Sequence, residues 1–199
     1  MRSVLVITSI ALVALLLSCS KPIKSIDILN ESGKKVGVYH VNTKTGKKEG
    51  PFEKYTSDGK KIEVALYQGD QLNGVRRIFD DYGNLYITET YVNGEFQGPY
   101  TVYYPNGKTK LTGNYDKGSM EGKWISNYES GGIKEEVTMH DNAENGPFVE
   151  FYTNGKKKAE GNYKDGDKED GLLLLYDEQG ELIKKMDCKS GVCHTIWKK

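Results

Sequence analysis

The chain has 199 residues and balances 28 Lys and Arg against 28 Asp and Glu. A neutral balance argues against a nucleic-acid-binding surface, which shows a basic excess. With 14 tyrosines the chain does not read as disordered, and 23 glycines point to short strands joined by many turns.

Met1 and Arg2 make a short positive start, and Val4 to Leu17 is nearly all apolar. That run is short for a membrane span, which needs about 20 residues. It fits the apolar core of an export signal, about 7–15 residues. The run closes in Leu16-Leu17-Ser18-Cys19. Leucine three places before a cysteine, with a small residue between, resembles the lipobox of bacterial lipoproteins, although Leu17 is bulkier than is usual there. The resemblance implies a signal peptide over residues 1–18 and a diacylglycerol on the Cys19 thiol. It also implies attachment to a membrane of the cell envelope, with Ser20 compatible with an outer-membrane address. The alternatives are an uncleaved anchor or an ordinary signal followed by a chance cysteine. Residues 19–36 then read as a lipidated N-terminus and tether, and 37–199 as a repeat array.

The array is marked by Gly50, Gly74, Gly98, Gly122 and Gly146, each 24 residues after the last, with Gly171 following at 25. A second series falls nine residues later: Gly59, Gly83, Gly107, Gly131, Gly155 and Gly180. Aromatics keep the same phase at Tyr55, Phe79, Tyr103, Phe151 and Tyr176, while copy four has Asn127 with Tyr128 beside it. Six copies hold these marks. Each copy reads as strand, tight turn, strand, looser turn. In copy three Tyr100 to Tyr104 is aromatic and β-branched, as strands prefer, and Pro105-Asn106-Gly107 closes a hairpin. Leu111, Gly113 and Tyr115 alternate with Thr112 and Asn114, which predicts one buried and one wet face. Small residues at Ala65, Gly113 and Gly161 make room for Tyr100, Trp124 and Phe148. A lone hairpin is marginal in water, so the units must stack. The expected fold is all-β: an elongated antiparallel meander of tandem hairpins.

Few residues suggest chemistry. His40, His140 and His194 are not at metal spacing, and His140-Asp141 falls in a turn. Glu135 and Glu136 point to opposite faces of a strand and so do not pair with each other. Glu169-Asp170 lies in a loop one residue longer than its counterparts. Lys60-Lys61, Lys108 and Lys156-Lys157-Lys158 follow the hairpin turns as a charged rim. In copy two, Arg76 and Arg77 take the place of the usual aromatic and its neighbour, which makes them a candidate partner contact for carboxylate or phosphate. In copy four, Trp124 is followed by Ile125, Ser126 and Asn127. At the end of the array Cys188 and Cys193 flank an inter-repeat turn, where facing positions favour a disulfide; a metal site with His194 is the rival reading. The expectation is a protein without catalytic residues, cofactor or metal.

The segments Tyr91-Val92-Asn93-Gly94 to Gly98-Pro99-Tyr100, and Tyr115-Asp116-Lys117-Gly118 to Gly122-Lys123-Trp124, resemble the MORN repeat. They look most like its bacterial variant in YwqK-type proteins, the antitoxin half of a toxin–antitoxin pair. Met139 and Asn142 depart from the pattern locally. The resemblance implies a hairpin array and a scaffold, membrane-associated module or antitoxin. With the export signal it gives a lipid-anchored envelope scaffold for a protein partner, with an antitoxin or immunity role as the alternative.

Overall fold

Strand pairing begins before the repeats become visible in the sequence. In the computed structural model, which describes residues 22–199, β1 (Ile23–Leu29) and β2 (Lys35–Asn42) form a hairpin with Ile26 opposite Tyr39. Residues 23–36 are therefore mostly strand, not the tether that their position suggested. The phase is hidden because the turn after β2 is longer. Gly33 and Gly50 are 17 residues apart, against 15 for Gly59 and Gly74. The expected signal peptide, residues 1–18, and Cys19 lie outside the described residues.

Copy one is β3 (Lys48–Tyr55) and β4 (Lys61–Gln68). Copy two is β5 (Gln71–Leu72), β6 (Gly74–Phe79) and β7 (Leu85–Val92). Copy three is β8 (Glu95–Phe96), β9 (Gly98–Tyr103) and β10 (Thr109–Asp116). Copy four is β11 (Ser119–Asn127) and β12 (Ile133–His140), and copy five is β13 (Ala143–Phe151) and β14 (Lys157–Lys164). Copy six is β15 (Lys168–Glu169), β16 (Gly171–Tyr176) and β17 (Leu182–Lys189), and β18 (Val192–Lys198) closes the array. All pairings are antiparallel between near neighbours in the chain, and the described residues form one 18-stranded sheet without helix.

The two turns of each unit differ from expectation in which is tighter. Between copies, Asn93 and Gly94 have φ of 52° and 85°, the signature of a two-residue type I′ hairpin. Lys117-Gly118, Asp141-Asn142 and Ser190-Gly191 repeat it. The turn within a copy is longer: Gly107 N donates to Tyr104 O at 2.9 Å and Tyr104 N to Lys108 O at 2.8 Å. The extra residue of copy six sits in turn 165–167, where Lys164 pairs with Lys168. The first glycine series does not make turns. Gly146 lies inside β13 at φ of 121°, beside a slip in register, and Gly74 opens β6 at φ of 115°, a conformation that favours glycine.

One face of the sheet carries the core. Ala65, Tyr91, Val102, Val137, Phe148, Ala159 and Leu173 are buried there, and Trp124 is only 2% exposed. Gly113 faces Tyr100 in register, and a Cβ on it would lie 2.1 Å from Trp124 Cδ2. The small residue is thus the socket for the ring of the next copy. Rings run between copies: Tyr91 stacks on Phe96 at 4.5 Å, Phe96 on Tyr115 at 4.8 Å, and Tyr115 meets Trp124 edge-on at 5.4 Å. Such pairs contribute about 0.5–1.5 kcal/mol each beyond burial. At the N-terminal end Lys48 Nζ stands 4.9 Å from the Tyr67 ring.

Candidate interaction surfaces

Both edges of the array are tied copy to copy. On the inter-repeat edge, Gly94 N donates to Leu72 O at 2.8 Å, Gly118 N to Phe96 O at 2.9 Å and Gly191 N to Glu169 O at 3.0 Å. On the other edge, Tyr104 Oη donates to Asn127 O, Tyr128 Oη to Phe151 O and Tyr152 Oη to Tyr176 O, at 2.7, 2.7 and 2.9 Å. Tyr104, Tyr128 and Tyr152 are a third series spaced by 24. The spacing was available in the sequence. Tyr128 there looks like a displaced strand aromatic, but it belongs to this hydroxyl ladder. The lysines after the turns join the same edge: Lys60 Nζ reaches Asp81 O at 3.3 Å, and Lys108 Nζ reaches Ser130 O. Lys60 and Lys108 thus hold the next turn, whereas Lys157 and Lys158 pair with Glu160 and Glu150.

Copy two interrupts the ring column with charge. Arg76 Nε lies 2.7 Å from Glu63 Oε1, and its Nη1 lies 3.0 Å from Glu89 Oε2. Tyr91 Oη donates to the same Glu89 oxygen at 3.0 Å. Glu89 is only 6% exposed. Burial opposes the charge on Arg76, but the Glu63 and Glu89 carboxylates outweigh it and raise the guanidinium above its ordinary value. Burial, then the Glu89 charge, pushes the Tyr91 phenol up to about 12. Arg77 lies on the opposite, exposed face, beside Thr88. Arg76 and Arg77 therefore do not form one anion site, and Arg76 is held internally. The physical reason is the two-residue side-chain period of a strand.

A second polar cluster lies farther along the same face. Glu135 and Glu150 face each other in register across β12 and β13. Lys158 Nζ lies 2.6 Å from Glu150 Oε2. Burial, then the Glu150 charge, raises the Glu135 carboxyl above its ordinary value. Glu136, on the other face, pairs instead with Lys123 at 2.7 Å. The partner of Glu135 thus comes from the next copy, which neighbour-by-neighbour reading does not reveal.

On the outer face near the N-terminal end runs a mainly apolar groove of about 710 Å³. Ile23, Pro51, Leu66, Gly74, Thr90 and Val92 line it, from β1 across to β7. Ile23, Leu66 and Val92 are all more than 40% exposed.

The model of the MORN repeat variant matches residues 96–117, 120–141 and 144–165. These are three tandem segments of the hairpin array. Over these segments the array is MORN-like. No curated protein matches the chain.

In the MORN-like array the matched segments begin beside the type I′ turns and end on the next inter-repeat turn. The variant repeats thus coincide with the structural units, offset from the glycine marks. At the far end of the array Cys188 and Cys193 face each other across β17 and β18, with their sulfurs 2.01 Å apart. The histidines are dispersed. His40 lies in β2 with Nδ1 2.8 Å from Pro51 O, His140 ends β12 with Nδ1 3.1 Å from Glu121 Oε2, and His194 lies in β18 opposite Asp187. Among the described residues no group of three or more His, Cys, Asp or Glu is placed to hold a metal ion.

Proposed function

We propose that this protein is a lipid-anchored scaffold of the bacterial cell envelope that binds a protein partner on its repeat surface without catalysing a reaction. The observation that carries the scaffold is the double ladder. Backbone bonds on one edge run along the array and tyrosine hydroxyls on the other tie copies three to six, so side chains on the outer face stand at regular, preorganised positions. Repeat arrays use such extended faces for contact, and preorganisation reduces the entropic cost of binding. The Leu16-Leu17-Ser18-Cys19 box supports the anchor. Two or three acyl chains, at about 0.8 kcal/mol per buried CH₂, hold firmly.

Cys19→Ala in the native host tests the anchor. The variant is expected in the soluble fraction after a high-salt wash, whereas continued partition with membranes overturns lipidation. Cross-linking of the tethered protein in its own envelope tests the scaffold. A stable envelope protein as the dominant partner supports it, and an exported toxin in that place transfers the function to immunity. An unpartnered protein contradicts both.

A further inference from the structure

The groove between β1 and β7 is not something that the repeat requires. Leu66 corresponds to Asn114 and Asn162 in later copies, and Val92 corresponds to Asp116, His140 and Lys164. The same backbone positions are polar farther along the sheet, so this groove does not recur with the repeat. The lining also includes the polar Glu49, Gln68 and Asn73, but two features favour an apolar occupant. Gly74 offers no side chain, and a Cβ on it would meet Leu66 Cδ2 at 3.2 Å. The Thr90 hydroxyl is spent on the Pro99 carbonyl at 3.0 Å.

One end of the lining is Ile23, four residues after Cys19. Four extended residues span at most about 14 Å. A group carried on Cys19 is therefore always within reach of the groove. The lining residues lie on strands from β1 to β7, and six neighbouring strands cover about 24 Å across the sheet. An open, mainly apolar groove of this span suits a flexible hydrocarbon chain. The volume also falls within the range of small-molecule pockets, about 300–1,000 Å³.

We propose that this groove is an acyl-chain site, and that it shelters a fatty-acyl chain carried on Cys19 when the protein is away from a bilayer. The inference rests on the lipidation of Cys19 proposed above. Burying one chain against Ile23, Leu66 and Val92 removes hydrocarbon from water during transfer across the aqueous part of the envelope.

The test feeds cells a palmitate analogue bearing a diazirine. The lipidated protein is then extracted from the membrane, released from detergent into buffer and irradiated, and its cross-links are mapped by mass spectrometry. Cross-links from the acyl chain on Cys19 to the same chain at residues 49–51, 66–68 and 90–92 are expected. Leu66→Glu with Val92→Glu should reduce them at least five-fold. Ile196→Glu, an exposed position in β18 at the other end of the array, should leave them unchanged. Cross-links confined to other proteins or to lipids overturn the site, and the wild-type map alone decides this if the double variant does not fold. The mass of the N-terminal peptide separates the two readings. An acylated Cys19 without groove cross-links removes only the acyl site, whereas an unmodified Cys19 removes the anchor and the site together.

Discussion

Arg76 shows how far local context decides the role of a residue. An arginine in a column of rings reads as a break in the repeat, yet its guanidinium bridges Glu63 and Glu89 inside the face that the rings cover. Removing one member of a buried ion pair leaves its partners uncompensated. Arg76→Ala is therefore expected to lower unfolding stability by about 3 kcal/mol, while Arg77→Ala changes it by less than about 0.5 kcal/mol. Urea titration of both variants measures the difference; equal effects contradict the internal role of Arg76. Glu135 behaves in the opposite sense. Its carboxyl titrates above the ordinary value of 4.5, because of burial and then Glu150. The folded state therefore binds a proton more readily than the unfolded state. Ionised Glu135 destabilises the fold above its folded pKa, and that penalty fades as pH falls towards 4.5. Glu135→Gln should raise the melting temperature at pH 7 and lose its advantage near pH 4. A gain that does not depend on pH would assign the effect to something other than charge.

At the scale of strands and turns, packing on the core face rests on paired large and small residues. Gly113 lies under Trp124 and Gly161 under Phe148, but the clearances differ. The added Cβ meets Trp124 Cδ2 at 2.1 Å, and Phe148 Cε1 at 3.0 Å. Overpacking costs about 1–3 kcal/mol. Gly113→Ala is expected near the top of that range and to shift the tryptophan emission, while Gly161→Ala falls near the bottom. The reverse order contradicts this packing. The disulfide acts on one element. It closes a small loop between β17 and β18, which the chain-entropy model values at about 2 kcal/mol. Reduction should therefore raise hydrogen exchange in β18 and leave β9 to β13 protected. Uniform loss of protection would mean that the array unfolds as a single unit.

Across the whole molecule the strands follow chain order, so each unit touches mainly its neighbours. Deleting residues 98–121, a full period of 24, joins Gln97 to Gly122 and returns every inward side chain to the core face. Deleting residues 98–120 moves all later strands by one residue and turns their buried positions outward. The first variant should keep a strand-type circular dichroism spectrum and a cooperative melt. The second should lose the melt, and equal behaviour would show that register does not govern the fold.

The sequence determined the period, the strands and the buried face of this protein. Those follow from chain-local physics: glycine where φ is positive, and alternation along a strand. The small-against-ring pairing was legible too, since Gly113 and Trp124 occupy fixed phases of the repeat. Interactions between copies were decided only by the tertiary structure. The Glu135–Glu150 contact depends on the register of β12 against β13, and the tyrosine ladder on a carbonyl one copy away. The first hairpin stayed hidden because two additional residues shifted its phase. The groove beside Ile23 exists only where sheet pairing brings β1 to β7 onto one surface, and no periodicity within a single strand specifies that.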